Sequence, residues 1–387
     1  MTENEQLRYA RHLSLPNVGV AGQLRLKEAR VLVVGAGGLG SPIALYLAAA
    51  GVGTIGLVDF DEVEASNLQR QILYDTQDIG QPKLRAATER LGALNPHVTL
   101  VSHAEPFSAS NALALVQDYD VVADGTDNFA TRYLLNDACV LAGVPNVYGS
   151  VFQYEGQVSV FGTPDGPNVR DLYPEPPTDA VSCGVGGVLG VLPGLIGTLQ
   201  ATEILKWILD VGESLIGRVL LYDALSARFR SFTLSRDPDN PVSGEAPLIR
   251  SIADSVANTR ALGCRPPQSL SHSRLEAMSN VPEISVEEYK TLRDSDAPPF
   301  LLDVRRPEEV AIADLGGSLI PLDQLPKRLG ELEDHRDDPV IVVHCRSGGR
   351  SAQATALLHQ QGYTNAVNLA GGILAWSDRI DPSVEKY

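Results

Sequence analysis

The stretch that most constrains this chain runs from residue 31 to residue 59. Residues 31–34 (VLVV) form a short apolar run ending in Gly35, and Gly37, Gly38 and Gly40 come directly after it. Residues 41–50 (SPIALYLAAA) have helical composition, with Pro42 tolerated in the first turn and Gly51 as the stop. A second apolar run, 54–58 (TIGLV), closes on Asp59. Strand, helix and strand with connections this short make a βαβ unit, the building block of a parallel sheet. The alternation predicts further strands at 97–101, 119–123, 147–152 and 157–161, the last antiparallel. It predicts helices over 129–142 and 195–210 and closing strands at 220–222 and 228–234.

At roughly 150 residues per domain, 387 residues make two or three domains. Periodicity fails near 238–247, and the Ser- and Pro-scattered stretch through residue 280 has the composition of a linker. Periodicity returns at Glu283, with strands at 301–304, 340–344 and 367–369 and a helix at 351–361. No repeat relates the two units. The expected organisation is a first domain over 1–245, a linker over 246–281 and a smaller α/β domain over 282–387.

Charge narrows the partners. The 31 basic against 48 acidic side chains give −17, which argues against general nucleic-acid or anionic-membrane binding. Four cysteines, Cys139, Cys183, Cys264 and Cys345, lie far apart with no CxxC pair, which reads as reduced thiols. The two long uncharged stretches, 31–58 and 180–202, are broken by glycines, and the polar N-terminus lacks a secretory core. A soluble cytoplasmic protein is expected.

The glycines Gly35, Gly37, Gly38 and Gly40 form a GxGxxG turn between strand and helix. There the backbone can approach a phosphate and the helix N-terminus offers unpaired N–H groups. Asp59, 19 residues after Gly40, stands where a carboxylate accepts ribose hydroxyls. The residues beyond Asp59 are unlike those of a dehydrogenase. Asn67, Arg70, Gln71 and then Lys83 place amides and cations past the ribose position, which suits a triphosphate. Thr126, Asp127 and Asn128 end a later strand, where a carboxylate can hold Mg²⁺ against phosphates.

Together with those residues, RYARH, VLVVGAGGLGSP, DFDEVEASNLQRQ, GQPK, GTDN and GQVSVF closely resemble the ubiquitin-activating-like adenylyltransferases of the MoeB/ThiF type, over about residues 5–235. The resemblance implies a Rossmann-like adenylation domain with a mostly parallel sheet. It implies that Asp59 holds the ribose of ATP, that Asn67, Arg70 and Lys83 bind its triphosphate, and that Asp127 holds Mg²⁺. Arg11 would reach the phosphates from the neighbouring subunit of a homodimer. The substrate would be the C-terminal Gly–Gly carboxylate of a ubiquitin-fold sulfur carrier. Family members usually bind zinc through two CxxC pairs; the matching positions here are Asn168, Asp171, Asn240 and Ser243, so no zinc is expected. Cys183 falls where the family places a cysteine on a loop crossing the active site, and either resolves an acyl intermediate or is a small buried hydrophobe. Cys139 reads as core, and Cys264 has no argued role.

In the second unit, Cys345 is followed by Arg346, Ser347, Gly348, Gly349, Arg350 and Ser351, joining a buried strand to a helix. A thiol there faces backbone N–H groups and a helix N-terminus, which stabilise an anionic sulfur. The phosphatase pattern C-x5-R fails because Ser351 occupies its arginine position. The shorter loop, with LLDVRRPEE before it and NLAGGILAW after it, resembles the rhodanese sulfurtransferases over about residues 282–380. That resemblance implies a small α/β domain with a persulfide on Cys345. Asp303 and Arg305 orient the loop, and Ala313 and Asp314 stand where a histidine is usual. Together the two resemblances imply an enzyme that adenylates the carrier and converts its terminus to a thiocarboxylate in a molybdopterin or related sulfur pathway, with a persulfide or thiosulfate as donor. Two other readings stay open on the sequence. One is activation of a ubiquitin-like modifier through a Cys183 thioester, which leaves the rhodanese segment unexplained. The other is a non-catalytic NAD-binding sensor, against which Arg70, Lys83 and the Cys345 loop speak.

Overall fold

The computed structural model describes residues 1–175, 187–262, 281–295, 298–322 and 324–385. The chain divides into two compact units, Met1–Pro267 and Gln268–Tyr387.

The first unit is built on one sheet of β1 (Arg30–Val34), β2 (Thr54–Val58), β3 (Thr99–His103), β4 (Val121–Asp124), β5 (Asn146–Phe152), β6 (Glu155–Phe161), β7 (Arg218–Asp223) and β8 (Arg228–Thr233). Their order is β3-β2-β1-β4-β5-β6-β7-β8. Strands β1 to β5 run parallel, and β6, β7 and β8 add antiparallel pairs. The expected reversal at β6 is what the fold contains. Strand β1 is apolar at every position after Arg30 because both its faces are covered. Val31 and Val33 join the core beneath the helices Gly40–Ala50 and Val191–Leu209, while Leu32 and Val34 pack with Leu135 and Cys139 of the helix Phe129–Ala142. Cys139 is plain core, as its sequence context implies. The third strand starts two residues later than periodicity suggests. Asn95 holds the preceding segment as a turn, its side chain bonded to Tyr9 Oη, the Ala48 carbonyl and the His97 amide.

The order in which strands are added across the sheet reverses between β1 and β4, which places a topological switch point there, the usual ligand crevice of an open α/β sheet. Two loops meet at it, since a Cβ on Gly35 would lie 2.7 Å from the Gly125 carbonyl oxygen. Beyond β8, part of the stretch that reads as linker is a helix, Ile252–Ala261, packed on the helix Phe129–Ala142. Its buried residues are Ser255 and Thr259.

The second unit is a parallel sheet of β9 (Glu283–Ile284), β10 (Phe300–Asp303), β11 (Ser318–Leu319), β12 (Ile341–His344) and β13 (Ala366–Leu369), in the order β11-β10-β12-β13-β9. One core holds Leu302, Val343 and Leu358; the other holds Val342, Ile373 and Trp376. Among the described residues no helix is long and apolar enough to cross a membrane.

Candidate functional site

At the switch point the chain leaves β1 through Gly35, whose φ is +94°, and enters its helix at Gly40. A Cβ on Gly40 would sit 1.9 Å from the Gly35 carbonyl oxygen, so the turn closes only with glycine at this position. Ala36, between the first two glycines, is held at both polar groups. Its N–H donates to Asp59 Oδ2 at 2.8 Å, and its carbonyl accepts from Tyr74 Oη at 2.8 Å. Asp59 Oδ1 also accepts the Asp61 amide at 2.9 Å. Burial pushes the Asp59 carboxyl up, opposed by the Lys83 ammonium and by these two amides.

Around this turn the structure gathers most of the residues singled out in the sequence. Gln71 Nε2 and Arg70 Cγ each lie 3.6 Å from where a Cβ would stand on Gly37 and Gly38 respectively. Gln71 is buried, and its Oε1 has no hydrogen-bond partner among the described residues. Lys83 is only 5% exposed. Its Nζ lies 2.9 Å from Asp61 Oδ2 and 4.0 Å from Asp59 Oδ1. Asn67 is buried in the short 3₁₀ turn Ala65–Asn67, and Arg70 Nη1 donates to the Ser66 carbonyl. Asp127 is exposed past the end of β4, and Asn128 beside it caps the helix Phe129–Ala142 through the Thr131 amide. Behind that loop Arg132 is buried, donating to the Thr126 and Gly149 carbonyls, with Nε 3.3 Å from Asp124 Oδ2. Arg11 is not brought to this turn. It lies exposed on the helix Ala10–Leu13, whose N-cap Tyr9 packs on Gly51, at the far end of an 11-residue helix and so roughly 16 Å from the glycines.

These residues fit a nucleoside triphosphate: a glycine-rich turn, the Gln71 Nε2 amide donor facing it, and a buried lysine nearby. Magnesium fits as well. Among the described residues no three His, Cys, Asp or Glu side chains converge on a metal position. Mg²⁺ needs no such cage, since it binds one or two carboxylates together with phosphate oxygens. Asp127 would supply the carboxylate.

The second unit carries a different turn. Strand β12 ends at His344, and Cys345 follows with 1% exposure at the N-terminus of the helix Gly349–Gln360. Its Sγ accepts the Gly348 N–H at 3.2 Å and the Ser351 hydroxyl at 3.3 Å. Gly348 adopts φ +96°, which turns its amide inward. The loop is tied on both sides. Ile373 and Leu374 donate to the Cys345 and Arg346 carbonyls, and Arg350 makes a two-pronged ion pair with Glu309 at 2.6 Å. Arg346, Ser347 and Gly349 are exposed at the mouth. Beneath lie Asp303 and Arg305, a buried pair at 2.6 Å, and the His344 ring 3.4 Å from Asp303. Burial lowers His344 to about 4, against the pull of Asp303. Ala313 is buried and Asp314 is exposed, accepting the Gly316 amide. Cys183 and Cys264 lie outside the described residues.

The family model of the ThiF family matches residues 9–242, and that of the rhodanese-like domain matches residues 285–379. The chain belongs to the ThiF family. This ThiF-family chain is 44% identical over 394 residues to a probable adenylyltransferase/sulfurtransferase MoeZ of Mycobacterium tuberculosis, covering 100% of this chain and 96% of that protein. It is 41% identical over 412 residues to the adenylyltransferase and sulfurtransferase MOCS3 of Sus scrofa, covering 100% and 89%. Among solved structures, Escherichia coli MccB with succinimide aligns at TM-score 0.55 and 22% identity over 63% of this chain and 75% of that one, which is likeness of fold. The chain is thus an adenylyltransferase joined to a sulfurtransferase.

Within this ThiF-family chain Asn168, Asp171, Asn240 and Ser243, expected from the sequence to stand at the family's zinc-ligand positions, meet in one hydrogen-bonded clasp. Asn168 Nδ2 donates to Ser243 Oγ at 2.8 Å, and Asn240 Nδ2 donates to Asp171 Oδ1 at 2.7 Å. Asp171 Oδ2 accepts the Asn168 amide, and Asn240 Oδ1 accepts the amides of Val242 and Ser243. Next to it the fully buried pair Arg170–Asp137, at 2.7 Å, is completed by Ser255, Asn258 and Thr259. Sequence reasoning missed Tyr74, Arg132 and Glu309. A lone tyrosine, arginine or glutamate carries no spacing signal, and only the fold shows what each one holds.

Proposed function

We propose that the first unit uses ATP to adenylate the C-terminal glycine carboxylate of a ubiquitin-fold sulfur-carrier protein ending in Gly-Gly, and that Cys345 supplies the sulfur. The carboxylate oxygen attacks the α-phosphorus, the new C–O–P linkage forms, and pyrophosphate leaves. The outer sulfur of a Cys345 persulfide then attacks the acyl carbon and AMP leaves. The resulting acyl disulfide yields the thiocarboxylate when a thiol takes up Cys345 Sγ. Cys183 is proposed as that resolving thiol, and the disulfide it forms is returned to thiols by an external reductant.

In this reading the backbone of Gly35, Gly37, Gly38 and Gly40 cradles the phosphates and Asp59 accepts the ribose hydroxyls. Asn67, Arg70, Gln71 and Lys83 neutralise and orient the triphosphate. Asp127, with Asn128 beside it, would hold Mg²⁺, which supplies charge neutralisation at the phosphates. Arg11 acts on the phosphates of the partner in a homodimer. Arg346, Ser347, Gly348, Gly349, Arg350 and Ser351 form the persulfide loop, charged by a persulfide or thiosulfate donor. The protein acts in the cytoplasm and needs no zinc. The observation that carries the reading is the pairing, in one chain, of a glycine-rich turn at a sheet switch point with a thiol already seated among N–H and O–H donors. Its relatives' names join the same two activities.

The test is ATP–pyrophosphate exchange with a panel of carriers ending in Gly-Gly, followed by mass spectrometry of the carrier for replacement of one oxygen by sulfur. Carrier-dependent exchange and sulfur incorporation are expected for at least one carrier when free sulfide is excluded. Absence of exchange with every carrier, in protein that binds ATP, would sink the proposal.

A further inference from the structure

The nucleotide turn is held from beneath by two side chains, and only one of them belongs to the motif. Asp59 takes the Ala36 N–H, while Tyr74, 7% exposed, donates its hydroxyl to the Ala36 carbonyl. We propose that Tyr74 is a positioning residue for ATP: by fixing the Ala36 carbonyl, it aims the Gly37 N–H at the phosphates. This role rests on the adenylation reading and extends it to a residue outside the glycine and NLQRQ motifs.

Peptide planarity makes the connection. The Ala36 carbonyl and the Gly37 N–H belong to the same trans peptide, so they point in opposite directions. Holding the carbonyl toward buried Tyr74 therefore turns the Gly37 N–H toward the opposite side of the turn. Gly37 is half-buried with room around it, since a Cβ built there would meet only Gln71 Nε2, at 3.6 Å. Asp59 fixes the preceding peptide through the Ala36 N–H, so both planes flanking Ala36 are set before any ligand arrives. Glycines on either side of Ala36 would otherwise leave these planes free to rotate. Burial, with the negative charges of Asp59, Asp78 and Asp61 nearby, pushes the Tyr74 hydroxyl up, which keeps it a donor across the working pH range. The tyrosine thus does for the carbonyl what Asp59 does for the amide. Pre-set donors contribute most where charge concentrates.

The decisive variant is Tyr74→Phe in the full chain, which keeps the ring and deletes the donor. Tyr119→Phe is the control. It removes another buried tyrosine hydroxyl, 2.9 Å from His103 Nε2, on the sheet face opposite the one that packs against the helix Gly40–Ala50. The readouts are the ATP Kd by calorimetry and the KM values for ATP and carrier in pyrophosphate exchange. Tyr74→Phe is expected to weaken ATP about tenfold in Kd and KM, with carrier KM unchanged, as for one lost aligned hydrogen bond. Tyr119→Phe should leave all three constants alone. If Tyr74→Phe does not fold, Ala36→Gly loosens the same peptides from the chain side and is expected to weaken ATP in the same selective way. A folded Tyr74→Phe within twofold of the parent ATP Kd would overturn the proposal. So would equal losses toward ATP and carrier, or an Ala36→Gly within twofold when it is the variant read. Parent protein that binds ATP yet shows no exchange would count against the adenylation reading alone, because the Kd comparison still decides the role of Tyr74.

Discussion

Both units place a strand, a tight turn and a helix N-terminus in sequence, yet the turns are occupied differently. Between Val34 and Gly40 the side chains of Ala36 and Leu39 are buried and the glycines leave the backbone bare, and the side chains that hold the turn, Asp59 and Tyr74, come from below. Between His344 and Gly349 the turn encloses its own thiol, already bonded to an amide and a hydroxyl. The first turn is shaped to receive a ligand. The second is shaped to carry a reactive atom and needs contact only at its mouth. On the proposed function, the same helix-terminus physics would serve substrate binding in one unit and nucleophile storage in the other, with the residue in the turn deciding which.

The sharpest way to break that contrast is a reciprocal pair of variants. Lys83→Ala should lower carrier-dependent pyrophosphate exchange by more than roughly 100-fold, the order seen when a charge-stabilising donor is lost. It should leave sulfur loading of Cys345 untouched. Cys345→Ala should abolish thiocarboxylate formation by mass spectrometry while exchange proceeds at the parent rate. A fall in exchange in Cys345→Ala would mean that the two turns are not independent.

Acid should separate the units next. His344 is lowered from 6.5 to about 4, so between those values the unfolded chain binds a proton that the folded one refuses. Its contribution to stability is therefore complete above pH 6.5 and is lost as pH falls toward 4, by roughly 3 kcal/mol in total. In the first unit the buried carboxyls of Asp59 and Asp124 are shifted up by burial. Their effect has the opposite sign, because the folded state then holds the extra proton. With Trp207→Phe leaving Trp376 as the sole tryptophan, fluorescence-detected unfolding at pH 7 and pH 5 should show the second unit weakening. His344→Gln should remove most of that difference. Equal unfolding at both pH values in the His344 protein would refute it.

The smallest effect concerns the clasp of the first unit. Asn240→Ala removes a donor to Asp171 and an acceptor for two amides, and should cost about 2 kcal/mol in thermal or urea unfolding. Chelator should stop exchange by removing Mg²⁺ while leaving the melting temperature where it was. One zinc per chain by elemental analysis, or melting that collapses with chelator, would contradict a metal-free clasp.

Much of this architecture was legible in the sequence because its signals are local. Apolar runs of four or five residues mark β1, β2 and β12, and the helix Phe129–Ala142 lies where its stops predict. Asp59, Arg70, Gln71 and Lys83 converge on the glycine turn because short connections at one sheet edge leave them little freedom. The helix Ile252–Ala261 was not legible. Its buried face presents Ser255 and Thr259, spaced i and i+4, so hydrophobic periodicity has nothing to register. Tyr74 and Glu309 escaped for a related reason: each acts through one long-range hydrogen bond or ion pair, to Ala36 and Arg350, and such contacts leave no spacing pattern.

That polar helix bears on how such a gene can be recombined. Arg170 and Asp137 sit with no exposure, and three of the side chains that complete them arrive from Ile252–Ala261. A junction placed after residue 245, where the sheet has ended, would strip those partners from two buried charges, and buried charges tolerate such loss poorly. The inheritable module is therefore longer than its sheet. Exchange of the second unit for another leaves the first intact only when the crossover falls beyond Ala261.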